Sequence, residues 1–138
     1  MSFTINQITV GQTASFRKTI TEADVINFAS ASGDMNPVHI DKIAGQASIF
    51  GDRVAHGILV SGLISTVLGA QLPGNGTIYL GQEMRFTHPT YIGDTITAIV
   101  EVVDIDHAKN RIRLNTTCTN QSGVVVITGT ATVMPPKA

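Results

Sequence analysis

The chain has 138 residues, of which 43% are hydrophobic and only 14% are charged, and its formal net charge is −1. This composition argues against a disordered chain, and the near-neutral charge gives no electrostatic basis for binding nucleic acid or an anionic membrane surface. Cys118 is the single cysteine, which excludes an intrachain disulfide and a four-cysteine zinc site. We expect one domain over residues 1–138 and a cytoplasmic location, since no segment resembles a secretory signal or a membrane span.

A short helix is predicted after residue 21. Thr21 followed by Glu22 and Asp24 is typical of a helix start, with a capping hydroxyl and acidic residues in the first turn. This helix should end near Gly33, because Asn36-Pro37 imposes a turn shortly afterwards.

A second, longer helix is predicted from about His56 to Leu72. Its apolar side chains cover most of the helix circumference, which is typical of a helix buried on nearly all sides. They are Ile58, Leu59, Val60, Leu63, Ile64, Val67, Leu68 and Leu72. Such a helix must be enclosed by other parts of the chain.

The second half of the sequence predicts β-strands. Apolar and polar residues alternate with a period of two within residues 79–86, 95–102 and 111–118, an apolar run covers residues 124–134, and a shorter alternating run lies near residues 14–20. Short turns separate the later runs, so successive strands should pair antiparallel. We therefore predict an α+β fold in which one antiparallel sheet wraps around the central helix.

Gly33–His39 holds the densest cluster of chemically active side chains. One interpretation is a solvated polar loop, since Asp, Asn and Pro favour turns. The other is that the turn folds the carboxylate of Asp34 and the imidazole of His39 toward one small molecule. Such a pair can hold and polarise a water molecule, because imidazole gains and loses a proton near neutral pH.

The start of the central helix offers a second candidate group. The first N–H groups of a helix have no partner within it and lie at its positive end, so they could stabilise an enolate or oxyanion. Gly57 would let an acyl group approach them without a Cβ in the way. Alternatively, Gly57 only allows close packing, and His56 only begins the helix. The histidines show no metal-binding spacing and Ser65 lies in no nucleophile motif, so we expect no metal and no serine nucleophile.

Residues 28–39 (FASASGDMNPVH) resemble the hydratase-2 motif of MaoC-like, (R)-specific enoyl-CoA hydratases. Gly-Asp-x-Asn-Pro, an aliphatic residue and His stand in the order of that motif. Residues 54–57, 78–81 and 93–94 are also similar to family segments, so the resemblance covers nearly the whole chain. The most similar type is the short hydratase that feeds polyhydroxyalkanoate synthesis from fatty-acid β-oxidation.

The resemblance implies a hot-dog fold, in agreement with the predicted sheet around a helix, and a homodimer whose sheets join edge to edge. It implies Asp34 and His39 as the catalytic dyad, Asn36 as an orienting neighbour and the Gly57 N–H as the oxyanion donor. Ser65 corresponds to a family serine near the dyad. The implied reaction adds water across the double bond of a trans-2-enoyl-CoA to give (3R)-3-hydroxyacyl-CoA, with the acyl-CoA thioester as partner and no cofactor.

Leu68 is a candidate for the acyl pocket. It lies three residues after Ser65 and shares its helix face. If Ser65 is near the dyad, Leu68 lies about one turn deeper, roughly 5 Å along the axis, where an acyl chain would pass. The alternative is that Leu68 belongs to the core and contacts only the sheet.

Three other functions compete with hydration. A hot-dog acyl-CoA thioesterase would direct water to the carbonyl carbon, but such enzymes do not carry the Asn-Pro-x-His turn after their carboxylate. An acyl-carrier-protein dehydratase would place its His before a Pro-Phe segment and its acid on the central helix, and neither feature is present here. A non-catalytic acyl-CoA binding module would need neither Asp34 nor His39.

Overall fold

One antiparallel sheet and one long helix dominate the fold. The computed structural model describes residues Met1–Ala138. The strands are β1 (Thr13–Thr19), β2 (Ile78–Phe86), β3 (Thr95–Asp106), β4 (Arg111–Thr119) and β5 (Val125–Met134). The helices are α1 (Glu22–Ser32), α2 (Pro37–Ile40), α3 (Lys42–Ala47) and α4 (Gly57–Ala70), preceded by a 3₁₀ turn at Ile5–Gln7.

The five strands form a single sheet in the order β1-β3-β4-β5-β2, and every neighbouring pair is antiparallel. Alternate residues of β3 and β4 are buried, as their period-two patterns predict. The buried face of the sheet packs against α4 in one hydrophobic core. A sheet that curls around one helix is the hot-dog arrangement, so the predicted fold class is confirmed.

Helix α4 begins immediately after His56, as predicted, but it is not buried on all sides. Val60, Leu63, Ile64, Val67 and Leu68 face the core. The opposite face points away from the sheet and is exposed in the single chain. That exposed face, called here the open face of α4, consists of Ile58, Gly62, Ser65, Thr66 and Gly69.

Helix α1 forms as predicted because both of its ends are capped. The Thr21 hydroxyl accepts a hydrogen bond from the Asp24 N–H, and the Asp24 carboxylate accepts one from the Thr21 N–H. Gly33 ends the helix in the left-handed conformation, with φ of 81°. No helix of the structure is long and apolar enough to cross a bilayer.

Helices α2 and α3 are not foreseen by hydrophobic periodicity, because each is too short to show it. Their side-chain caps explain them instead. The Asn36 side chain accepts a hydrogen bond from the Val38 N–H at the start of α2, where Pro37 is the first residue. The Asp41 carboxylate accepts a hydrogen bond from the Ile43 N–H at the start of α3.

Candidate active site

The turn between α1 and α2 presents Asp34 at the protein surface. The Asp34 N–H donates to the Ser32 hydroxyl at 3.1 Å, and one carboxylate oxygen of Asp34 accepts from the Asn36 N–H at 3.2 Å. These local bonds favour a turn over a continued helix. The second carboxylate oxygen makes no hydrogen bond to the protein, so it can bind a water molecule or a ligand.

His39 lies on α2, and its ring orientation is set by a main-chain group. Its Nδ1 lies 2.7 Å from the Val54 carbonyl oxygen. Because a carbonyl oxygen only accepts, Nδ1 carries the proton in this contact, and the neutral ring has its lone pair on Nε2. The half-buried His39 therefore presents a proton acceptor at its outer edge.

Arg53 holds the main chain of His39. Its Nε donates to the His39 carbonyl oxygen at 2.8 Å, and its two terminal nitrogens bind the two carboxylate oxygens of Glu22 at 2.9 and 3.0 Å. This two-point pairing suits the planar guanidinium group. Helices α1 and α2 are thereby joined through one side chain.

His56 contacts both members of the dyad, although the sequence indicates only that it precedes a helix. Its ring stacks on that of His39, with centroids 3.8 Å apart and planes at 29°. Its Nε2 lies 3.0 Å from the Asp34 carbonyl oxygen. One donor atom each of Asp34, His39 and His56 lies within 4.8 Å of the others. The position of a second imidazole directly before the central helix is the sequence signal that could have pointed to it.

The same three side chains are poorly arranged for a metal ion. Zinc–nitrogen bonds of about 2.0–2.1 Å lie in the plane of each imidazole. An ion placed between two stacked rings would lie well outside both planes. Nδ1 of His39 and Nε2 of His56 are in addition already engaged with carbonyl oxygens. The cluster is better suited to proton transfer and positioning than to coordination.

A mainly apolar cavity of about 500 Å³ opens beside His39. This volume is in the usual range for small-molecule sites. Gly57 lies in its wall, and as the first residue of α4 its N–H has no partner in the chain. A Cβ on Gly57 would lie 2.6 Å from two ring carbons of Phe86, so this aromatic ring covers the glycine directly. The other lining residues are Asn36, Val38, Phe50, Val54, Ala55, Ile58, Val60, Thr87, His88, Pro89, Thr90, Val126 and Ile127.

The structure brings together some of the predicted site residues but not all of them. Asn36 and Gly57 line the cavity with His39, and the Asp34 carboxylate lies close to His39. Ser65 lies outside this cavity, on the open face of α4, and its hydroxyl makes no hydrogen bond. Leu68 is 1% exposed and lies in the hydrophobic core rather than in the cavity wall. The roles of Ser65 and Leu68 stay predictions.

A hot-dog sheet with a carboxylate–imidazole pair and an unpaired helix-terminal N–H defines a class of acyl-thioester enzymes, and the comparisons agree with this class. The chain belongs to the MaoC like domain family, which matches residues 6–124. It is 48% identical to an (R)-specific enoyl-CoA hydratase of Rhodospirillum rubrum, over 91% of this chain and 87% of that protein.

Two solved structures are similar over most of their length. The unliganded R-hydratase PhaJ1 of Pseudomonas aeruginosa has a TM-score of 0.93 and 42% identity, covering 99% of this chain and 88% of that chain. An (R)-hydratase of Aeromonas caviae involved in PHA biosynthesis has a TM-score of 0.91 and 40% identity, covering 94% of this chain and 98% of that chain. Both confirm the fold class.

Proposed function

We propose that this protein is an (R)-specific enoyl-CoA hydratase, a lyase that adds water to trans-2-enoyl-CoA and forms (3R)-3-hydroxyacyl-CoA. The observation that carries the proposal is the close approach of the Asp34 carboxylate and the His39 imidazole beside an apolar cavity with the Gly57 N–H in its wall. Relatives over 40% identical that bear the names of (R)-specific enoyl-CoA hydratases support it.

Binding would polarise the substrate before any bond forms. The thioester carbonyl oxygen accepts a hydrogen bond from the Gly57 N–H, at the positive end of α4. Electron density then moves toward this oxygen, the substrate becomes more like an enolate, and Cβ becomes more electrophilic. The apolar cavity wall, which includes Val126 and Ile127, would receive the acyl chain.

The dyad would then deliver water. With Nδ1 donating to Val54, the neutral His39 can accept a proton from the water through Nε2. Asp34 accepts the second hydrogen bond of the water and orients its oxygen toward Cβ. The oxygen bonds to Cβ, and the proton held by His39 is transferred to Cα on the same face. The net change is addition of one water, so the proposal needs no cofactor.

The proposal includes a second copy of the chain as partner. The support for this partner is β2, an edge strand that leaves several apolar side chains exposed, among them Ile78, Tyr79 and Leu80.

We also propose the cytoplasm as the compartment of this protein. The single cysteine supports this, because Cys118 is buried and unpaired, so the fold needs no disulfide and no oxidising environment.

The test is to mix the protein with crotonyl-CoA and follow the absorbance of the conjugated enoyl thioester while titrating free thiol in parallel. Hydration removes the chromophore and releases no thiol, and chiral chromatography should show the (3R) product. Release of free thiol would indicate a thioesterase. An unchanged chromophore with bound ligand would indicate a binding module, and either result contradicts the proposal.

Two variants preserve the local structure and test the dyad. Asp34→Asn keeps the oxygen that accepts from the Asn36 N–H, and His39→Asn keeps an N–H near the Nδ1 position that faces Val54. Each substitution should reduce kcat/KM by about 10²–10⁴-fold, while the unfolding temperature stays near that of the wild type. Near-normal turnover in either variant would remove that residue from the dyad.

A further inference from the structure

His56 is a buried residue whose side chain faces the catalytic turn rather than its own helix. It is 2% exposed, and it precedes α4 without capping it, because its ring makes no hydrogen bond to the first N–H groups of the helix. It is absent from the wall of the cavity, and its Nδ1 is buried with no partner. The hydrogen bond made by its Nε2 is therefore the polar contact that can account for its position.

That contact is with the main chain of Asp34. Nε2 of His56 lies 3.0 Å from the Asp34 carbonyl oxygen, and since the carbonyl accepts, Nε2 donates. The other hydrogen bonds of residues 33–36 stay within the turn or with α1 and α2. The bond from His56 is the one that ties this exposed turn to the start of the central helix, where Gly57 lies.

The second contact is with His39. The two imidazole rings stack at 3.8 Å, and the ring of Phe28 lies 4.8 Å from that of His56. A buried ring held in this way limits the positions that the His39 ring can adopt. One side chain thus touches both members of the dyad and is adjacent in sequence to the oxyanion donor.

We propose that His56 is a positioning residue for the hydration reaction, which fixes the Asp34 turn through its Nε2–H and supports the His39 ring. This assignment rests on the proposed hydratase function. His56 does not exchange a proton with the substrate, because it does not line the cavity and its proton is engaged with a carbonyl oxygen. Small errors in the placement of catalytic groups cost about 10²-fold in rate, which sets the scale of the expected effect.

Three substitutions at residue 56 separate positioning from folding. His56→Gln places an amide N–H near the position of Nε2, His56→Asn places it near Nδ1 and out of reach of the Asp34 carbonyl, and His56→Phe keeps a ring without a donor. His107, which is exposed in the β3–β4 turn and makes no side-chain hydrogen bond, gives the control His107→Asn. The measurements are kcat and KM with crotonyl-CoA per folded protein, and the unfolding temperature.

We expect His56→Asn and His56→Phe to lower kcat by about 10²-fold with little change in KM. His56→Gln should turn over at least about tenfold faster than His56→Asn, because it keeps the donor. A wild-type kcat in the Asn or Phe variant, or a Gln variant no faster than the Asn variant, would overturn the proposal. Variants with a lowered unfolding temperature but an unchanged kcat would overturn the proposal as well. Failure of the proposed function gives a different result, since the wild type and His107→Asn would then also leave the enoyl chromophore unchanged.

Discussion

Asp34 and His39 are held by contacts that involve main-chain oxygens. The Val54 carbonyl orients the His39 ring, Arg53 binds the His39 carbonyl, and His56 binds the Asp34 carbonyl. Because these contacts use no reactive atom of the dyad, Nε2 of His39 and one Asp34 oxygen stay available for water. A site built in this way is ordered before substrate binds, which lowers the cost of reaching the transition state.

The sequence predicts the chemical pair but not the residues that hold it. Asp34 and His39 are recognisable because they stand in one short motif on a turn. Arg53 and His56 contact that motif from 14 and 22 residues away, and Glu22 meets Arg53 across 31 residues. No local pattern encodes such contacts, since they arise only when α1, α2 and the start of α4 come together.

Gly57 allows a prediction that separates packing from catalysis. Gly57→Ala should lower the free energy of unfolding by about 1–3 kcal/mol, because its Cβ would overlap the Phe86 ring. It should also lower kcat/KM. In the double variant Gly57→Ala with Phe86→Ala, the overlap is removed, so the unfolding free energy lost to it should be recovered. The kcat/KM should stay low, because the added Cβ still keeps the thioester away from the main chain of residue 57.

The single variant Phe86→Ala is the control for the lost ring, and urea unfolding with crotonyl-CoA kinetics gives both quantities. Full recovery of kcat/KM in the double variant, to the level of Phe86→Ala, would show that Gly57 is required for packing alone.

At the scale of elements, side-chain periodicity predicts which residues of a strand or helix face the core. It fails where burial depends on whether another element packs alongside. β3 and β4 alternate as predicted. β2 has a similar pattern, yet none of its residues is fully buried, because it lies at the edge of the sheet. Helix α4 is apolar around most of its circumference, yet its open face has no partner within the chain. Sequence periodicity does not reveal which strand is last or which face is left uncovered.

Leu68 on α4 tests whether the core forms the end of the acyl site. It belongs to the same hydrophobic cluster as Val60 and Ile127, which also line the cavity. Leu68→Ala should cost about 2–5 kcal/mol of unfolding free energy and deepen the cavity on that side. We expect kcat/KM to shift from four-carbon toward six- and eight-carbon enoyl-CoAs.

Leu114→Ala is the matched control, since Leu114 is an equally buried leucine of the sheet outside the cavity wall. It should destabilise the protein without changing the chain-length profile. An unchanged profile in Leu68→Ala would assign Leu68 to the core alone.

Helix α1 carries a stability contribution that depends on pH. Burial alone would raise the pKa of Asp24, but hydrogen bonds from Lys18 and Thr21 outweigh it and lower the pKa below its ordinary value of 3.8. The ionised form is therefore favoured in the folded state. Its stabilisation is complete above pH 3.8 and is lost as the pH falls through the lowered pKa.

Asp24→Asn should accordingly lower the free energy of unfolding by about 1 kcal/mol at neutral pH, and the difference from the wild type should shrink toward about pH 2. Urea unfolding at several pH values measures this difference. Asp104→Asn, an exposed carboxylate on β3, should change stability by less than about 0.5 kcal/mol. A difference for Asp24→Asn that grows in acid would contradict the assignment.

At the scale of the whole molecule, we expect a homodimer at micromolar concentration. Edge strand β2 exposes apolar side chains and unpaired main-chain groups, and the chain carries few charges to protect them. Leu80→Lys places a charge on this edge and should shift the protein toward monomer in sedimentation velocity. Ile49→Lys, at a 96% exposed residue that belongs to no strand, is the control and should sediment like the wild type. A wild type that is monomeric at this concentration would contradict the prediction.

The strand order also has a consequence for folding of the chain. β2 pairs only with β5, the last strand of the sheet in chain order, whereas β3 and β4 are joined by a short turn and can pair locally. Until β5 is in place, the apolar edge of β2 therefore has no partner in the sheet, and an unpaired strand can associate with other chains. Docking of β5 completes the sheet, so a chain truncated before Val125 leaves β2 without its partner and should aggregate.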